Sequence, residues 1–444
     1  MIHRYQKKGL NFVLDVNSGA VHLLDDISYA VSGLLDENMG DTCPQSIIDA
    51  LPDYTADEIR EAYDELYELK KAGQLFAQDD YIDVSRYIPV NAPVKALCLH
   101  VAHDCNLRCQ YCFASTGDFG QGRKIMPPEI AKKAIDFVIA RSGVRHNIEV
   151  DFFGGEPLMA WDTVTQTVDY ARSLEEKYNK KFRFTITTNG LLLDEDKRKY
   201  INENMDNCVL SLDGRREVND EFRKTVAGTG SYDTIVPKFK ALVDERDPNL
   251  DYYARGTFTS HNLDFAEDVL SIADAGFDRL SVEPVTADPG CGYDLTEDDL
   301  PKIEAEYDRL TDIMLERKKE GKPFTFFHFM VDLDQGPCVV KRLRGCGAGY
   351  EYVAVTPDGD IYPCHQFVGK DEFKQGSVLD QSFNMDIAQK FAGMNIYSRP
   401  KCQKCWAKFY CSGGCSAANY NMNHDMNDSY DLGCEMERKR LECA

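Results

Sequence analysis

Between Lys95 and Pro284, apolar runs rich in β-branched and aromatic residues alternate with amphipathic stretches of helical period. This alternation limits the fold more than any other feature of the 444-residue chain. Strand and helix in strict turn require parallel pairing, with helices covering the sheet. Six strands are predicted, over residues 96–101, 148–153, 183–188, 208–212, 252–259 and 279–283, with helices at 128–141, 161–180, 232–245 and 264–275, the last stopped by Gly276. The class is α/β, and six strands suffice for a partial barrel. In such barrels the functional residues collect where strands end and loops begin.

The first 88 residues read as a separate module, residues 89–325 as the barrel with a charged helix at 300–320, and residues 326–444 as a cysteine-rich C-terminal domain. In the N-terminal module, strands at 12–15 and 20–24 are joined through Asn17-Ser18-Gly19, residue types that tolerate the positive backbone angles of a tight turn. Of the helices that follow, the clearest places Ile59, Tyr63, Leu66 and Leu69 at helical spacing, with Thr55 as the cap and Gly73 as the stop. Strands followed by three short helices resemble a small winged-helix fold, and the order resembles the precursor-peptide recognition domain of peptide-modifying enzymes. A DNA-binding winged helix is the alternative, but residues 36–80 are distinctly acidic.

A formal net charge of −23 repels phosphate backbones and anionic headgroups, so neither nucleic acid nor a membrane surface is an expected partner. No apolar run of about 18 residues is present, and the first residues lead into no apolar signal core. The expectation is a cytoplasmic protein of a reducing, anaerobic cell. Sixteen cysteines are too few for a disulfide-dense scaffold of this length, yet eight fall in short-spaced groups between Cys338 and Cys434, as metal ligands do.

Cys105, Cys109 and Cys112 form C-x3-C-x2-C just after the first barrel strand. Three thiolates on a four-iron cluster leave one iron without a protein ligand. A structural zinc site normally has four Cys or His ligands in pairs, and no partner pair lies nearby. The run, with the aromatic Tyr111 before the third cysteine, resembles the signature of radical SAM enzymes, in which S-adenosylmethionine (SAM) chelates the open iron. By that resemblance the three cysteines hold the SAM-cleaving cluster and are the catalytic set, with Tyr111 beside the cofactor. The second strand ends in Gly154-Gly155-Glu156-Pro157, similar to the family's GGEP motif, which holds the amino group of SAM. Glycines let the backbone approach a ligand closely, and Glu156 offers a carboxylate to an ammonium group. Asn189, Ser211 and Asp213 at the next strand ends look like the family's polar contacts to ribose, carboxylate or substrate. Arg223 resembles an arginine of related maturases, pairing the methionine carboxylate, a substrate carbonyl, or a surface carboxylate.

The C-terminal cysteines decide the subfamily. Cys346-x12-Gly359-x4-Cys364, then Cys402-x2-Cys405-x5-Cys411-x3-Cys415 and Cys434, are similar to the SPASM domain, which binds two auxiliary [4Fe-4S] clusters. The resemblance assigns Cys346, Cys364 and Cys415 to the first, and Cys402, Cys405, Cys411 and Cys434 to the second. The slot of a further ligand to the first is Val340, and the nearest thiol is Cys338. If Cys338 ligates, that cluster is closed; if not, one iron is open to a substrate thiolate. After Cys364, sulfatase maturases carry an aspartate proposed as base; here His365 stands there, which points to thiol activation by iron. The remaining cysteines, Cys43, Cys98, Cys208, Cys291 and Cys443, have no cluster spacing and mostly read as small buried hydrophobes.

The combination most resembles the thioether-forming maturases of SCIFF peptides. It implies three [4Fe-4S] clusters, SAM, a Cys-rich precursor peptide with an N-terminal leader, and an external low-potential donor of flavodoxin or ferredoxin type. The reaction so implied joins a substrate cysteine sulfur to carbon. An anaerobic sulfatase-maturing or carbon-carbon crosslinking enzyme is the alternative within enzymes, and a metal-dependent winged-helix regulator the alternative outside them.

Overall fold

The computed structural model describes residues 1–87, 92–331 and 339–444. An N-terminal antiparallel sheet is built from β1 (Ile2–Lys7), β2 (Leu10–Asp15) and β3 (Val21–Leu24), in that spatial order. Strand β1 is absent from the sequence reading. Its hairpin to β2 turns at Lys8 and Gly9, both at positive φ (53° and 74°), the conformation a two-residue hairpin requires. Helices Asp26–Ser32, Gln45–Ala50 and Ala56–Lys71 follow. The last begins with a capping box between Thr55 and Glu58 and buries Ile59, Tyr63 and Leu66.

Six parallel strands form the centre: β4 (Ala96–His103), β6 (Asn147–Gly154), β7 (Lys181–Thr188), β8 (Asn207–Ser211), β9 (Asp251–Phe258) and β10 (Arg279–Pro284). A short β5 (Lys124–Ile125) pairs antiparallel to β4, and β11 (Thr325–Phe326) extends the far edge beside β10. Burial alternates with period two along β6, β7 and β9. Val150, Phe152, Phe184, Ile186 and Leu210 face the surrounding helices in the main apolar core, while Asp151, Phe153, Thr185, Thr187, Arg255 and Glu283 occupy the alternate positions and line the lumen.

The C-terminal domain continues the same sheet. Strand β12 (Tyr352–Val355) pairs parallel with β4, Tyr352 opposite Ala96 and Val355 opposite Leu99, and β13 (Asp360–Tyr362), β14 (Gly376–Ser377) and β15 (Ser382–Phe383) add antiparallel strands beyond it. Covered from both sides, β4 is buried at every position. Glu351 locks the junction, accepting from Lys95 Nζ at 2.6 Å and Arg145 Nη2 at 3.0 Å. Among the described residues, no helix is long and apolar enough to cross a membrane.

Candidate functional site

The loop after β4 carries Cys105, Cys109 and Cys112 and is fastened to the end of β6. Gly155 N donates to Ala102 O at 2.7 Å, and Glu156 N to Asp104 O at 2.9 Å. A Cβ on Gly154 (φ +124°) would stand 2.2 Å from Ala102 O, and one on Gly155 would stand 2.1 Å from Asp104 O. The two glycines are therefore what lets the three-cysteine loop and this strand end touch. Burial pushes the Cys105 and Cys109 thiols up to about 12, against the opposing pull of Arg223 at Cys109. Such thiols ionise at neutral pH when a metal takes up their charge, so the donor chemistry fits iron ligation.

Glu156 is fully buried. Its Oε1 accepts from Leu158 N at 3.0 Å and Thr188 Oγ1 at 2.7 Å, and its Oε2 from Asn189 N at 2.7 Å. Burial nevertheless raises the carboxyl to about 7. The side chain thus ties the ends of β6 and β7 together, with acceptor capacity left on Oε2. Asn189 Nδ2 donates to Asn106 Oδ1 at 2.8 Å and lies 3.5 Å from Cys105 Sγ, which brings the third strand end to the cluster loop. Ser211 closes β8, half-buried.

The Asp213, Tyr111 and Arg223 side chains form one buried unit. Asp213 Oδ2 accepts from Tyr111 OH at 2.5 Å and lies 2.9 Å from Arg223 Nε; Asp213 Oδ1 accepts from Arg223 Nη2 and Thr257 N, both at 3.0 Å. The Arg223 guanidinium also lies over the Tyr111 ring, 5.6 Å from its centroid. A surface ion pair for Arg223 is therefore ruled out. Burial opposes its charge, but Asp213, Tyr111 and Cys109 together hold its pKa well above the ordinary value. Its cation stands beside Cys109 and Cys112, held there by a carboxylate ten residues back in the chain.

In the C-terminal domain, Cys402, Cys405, Cys411 and Cys434 all line one cavity of about 60 Å³. Cys415 lies close enough to raise the thiol pKa values of both Cys346 and Cys364, after burial as the leading cause. Among the described residues, no three His, Cys, Asp or Glu side chains converge on a single metal-ion position. Four thiols lining one cavity fit the ligand set of a polynuclear cluster. Cys338 lies outside the described residues. Of the unassigned cysteines, Cys98, Cys208 and Cys443 are buried, Cys43 is half-buried and Cys291 exposed.

Sequence reasoning missed the lumen wall between the two thiol sets. Phe113, next to Cys112, and Phe153 on β6 both contact the ring of His365, next to Cys364, at centroid distances of 5.5 and 5.2 Å. Arg255 Nε donates to Glu283 Oε1 at 3.1 Å, and this pair acts electrostatically on His365. Glu283, His328, Arg440, Cys415 and Cys434 open onto a cavity of about 390 Å³ between barrel and C-terminal domain. The period-two alternation already marks Phe153, Arg255 and Glu283 as sharing the inner face of their strands, and was the available signal.

Residues 99–250 match the radical SAM superfamily, and residues 346–406 match the SPASM iron-sulfur cluster-binding domain. The chain is 25% identical over 361 residues to the cysteine-type anaerobic sulfatase-maturating enzyme of Clostridium novyi (strain NT), a match covering 76% of this chain and 92% of that one. In structure it is similar to anSMEcpe with bound AdoMet and Kp18Cys peptide, at a TM-score of 0.63 and 21% identity over 79% of this chain and 97% of that chain. It is also similar to Streptococcus suis SuiB bound to S-adenosylmethionine, at 0.53 and 17% over 97% of each chain. The two matched domains imply [4Fe-4S] clusters, SAM binding and an enzymatic activity. The chain has the α/β radical SAM fold, a partial barrel of parallel strands, followed by a SPASM domain.

Proposed function

We propose that this protein installs a cysteine thioether crosslink, sulfur to carbon, in a ribosomally made Cys-rich precursor peptide. The observation that carries the peptide substrate is the open edge of the N-terminal sheet. Among the described residues, strand β3 pairs with β2 on one side only, and Leu23 on it is 61% exposed. Such an edge takes an extended leader as an added strand, main-chain hydrogen bonds giving affinity and alternate side-chain pockets giving selectivity. In this reading residues 1–88 recognise the leader, residues 89–325 carry the radical chemistry, and residues 326–444 hold two auxiliary clusters.

When bound, SAM and its cluster supply a carbon-centred radical, and the auxiliary clusters accept electrons. Cys105, Cys109 and Cys112 hold the first cluster and leave one iron for SAM. Gly154 and Gly155 let the cysteine loop close against the end of β6, where SAM would bind, and Glu156 keeps the β6 and β7 ends in register. The Tyr111-Asp213-Arg223 unit fixes one cation beside the cofactor. Phe113, Phe153 and His365 form the wall along which the substrate residue lies. Cys346, Cys364 and Cys415 would hold the first auxiliary cluster and the other four C-terminal thiols the second, and an external low-potential donor of flavodoxin or ferredoxin type would supply electrons. We place the protein in the cytoplasm of an anaerobic cell.

The test is anaerobic reaction of the reconstituted protein with a synthetic Cys-rich peptide carrying a leader. Each crosslink should remove two hydrogens and one alkylatable thiol. A product that loses two hydrogens while keeping every thiol alkylatable rejects the thioether and favours a carbon-carbon bond. Loss of sulfur from the peptide favours oxidation of the sulfatase-maturing kind. Replacing Leu23 by Lys should weaken leader binding with iron content unchanged; equal affinity rejects β3 as the capture edge.

A further inference from the structure

One lumen carboxylate belongs to neither thiol set and to none of the strand-end motifs. Asp151 sits on β6 between Val150 and Phe152, and the alternation that sends both of those into the core turns Asp151 inward. In register beside it are Cys98 on β4 and Thr185 on β7. Tyr352, from β12 of the C-terminal domain, reaches the same layer, where its hydroxyl neighbours Cys98 and lies 3.3 Å from His365 Nδ1. Cys98 in turn feels the thiol of Cys364. Asp151 therefore lies at the seam where the lumen meets the Cys364 loop.

Among the described residues, the groups facing Asp151 are Glu149 on its own strand, Thr185 on β7, Cys98 on β4 and Tyr352 on β12. None of them is a cation. A carboxylate kept inside a fold without a cationic partner is costly, and it persists where its proton affinity is useful.

We propose that Asp151 is the proton acceptor for the substrate thiol. This rests on the reading that the lumen receives a cysteine-bearing peptide. In the step, the thiol S–H bond breaks, an O–H bond forms on an Asp151 carboxylate oxygen, and the sulfur keeps the electron pair as thiolate. Nothing is oxidised or reduced in it. Burial, reinforced by Glu149 and opposed by Thr185, raises the carboxyl from 3.8 to about 7. At neutral pH the group is then poised between accepting and releasing a proton. The position beside Cys364 gives no carboxylate, because His365 stands there with Nδ1 engaged by Tyr352; the carboxylate comes from β6 instead.

Two measurements test this. Infrared difference spectra, wild type minus Asp151→Asn, titrated on the reconstituted protein without peptide, should show a protonated carboxyl that disappears with a midpoint near 7. A carboxylate ionised across the whole titration overturns the proposal. With the synthetic Cys-rich peptide, wild-type kcat should rise along an acidic limb. Asp151→Asn should lose that limb and about 100-fold or more in kcat at little change in KM, and Asp151→Glu should restore the limb. A limb that survives in the Asn variant overturns the proposal. Should that variant lose its iron, Thr185→Val decides: removing a hydroxyl that favours the carboxylate form should move the limb to higher pH, and an unmoved limb counts against Asp151. A wild-type protein that leaves the peptide unchanged rejects the peptide reading itself, while the infrared titration still decides for or against Asp151.

Discussion

Replacing Asp151 by Asn should stabilise the fold above neutral pH while it removes the proposed proton acceptor. The native carboxyl titrates near 7 against 3.8 outside the fold, chiefly because burial penalises its charge. The folded state therefore binds this proton more tightly than the unfolded state. Its contribution is fully present below pH 3.8, falls as pH rises toward about 7, and is lost above that. At about 1.4 kcal/mol per tenfold change in affinity, the shift corresponds to roughly 4 kcal/mol. Asp151 is partly open to the lumen, where solvent screens its charge, so about 2 kcal/mol is the working figure. Asparagine is nearly isosteric, carries no charge and still accepts from Thr185. The assay is urea unfolding followed by tryptophan fluorescence in a Trp406→Phe background, which leaves Trp161 on the barrel helix as reporter. At about pH 8 the Asn variant should unfold roughly 1 M later in urea, and at about pH 5 the gain should shrink. A variant no more stable at pH 8, or one equally stabilised at both pH values, refutes the reasoning.

Other perturbations read other parts of the site. Replacing Cys105, Cys109 and Cys112 together by Ala should abolish SAM cleavage while the C-terminal thiols keep their iron; unchanged cleavage would reject the assignment. Gly154→Ala forces a Cβ to within 2.2 Å of Ala102 O at a φ of +124°, and should cost about 3 kcal/mol or more and weaken SAM binding in equilibrium dialysis; wild-type affinity would show that the close approach is dispensable. Asp79→Asn strips the partner from Lys408, whose side chain is 4% exposed and 2.7 Å from that carboxylate. It should cost about 3 kcal/mol and speed chelation of iron from the Cys402, Cys405, Cys411 and Cys434 set, whereas an unaltered release rate would count against the pairing.

The barrel was legible because its strands are covered on one side by helices and on the other by a polar lumen, so burial writes itself as alternation. Strand β1 was not, since its residues are nearly all half-buried: one face meets the module's helices and the other the C-terminal helix, and an Ile-His-Arg-Tyr-Gln-Lys run shows no clean period. The pairing of β12 with β4 joins residues more than 250 positions apart, and no local pattern encodes it. The same holds at the site. Spacing identified the cysteines because such a loop is short, whereas Asp151, inside a predicted strand and in no motif, drew no reading from the sequence. That Tyr352 and the Cys364 loop close over the Asp151 layer depends on β12, so sequence reasoning, finding His365 after Cys364, turned to iron for thiol activation and weighed no carboxylate on β6. Arg223 fell between alternatives for a similar reason: its partner Asp213 lies across the loop that folds back over Tyr111.

The N-terminal module does more in this fold than present an edge. His3 on β1 stacks on Trp406, the residue after Cys405, with ring centroids 3.8 Å apart and planes within 2°. Val16 is buried in one apolar cluster with Cys402 and Phe409, and Tyr81 packs against it. Asp79 accepts from Lys408 Nζ at 2.7 Å and from Tyr397 OH at 2.5 Å. The segment bearing Cys402, Cys405 and Cys411 is short of regular structure, with helices of four residues only, too brief to hold their own geometry. Its order comes from what packs against it, and much of that packing belongs to residues 1–87. Removing the module would therefore strip support from these thiols as well as the β3 edge, and a lost activity would not separate the two causes. A substitution confined to the exposed face of β3, such as Leu23→Lys, leaves His3, Val16 and Asp79 in place and isolates leader capture from the integrity of the thiol set.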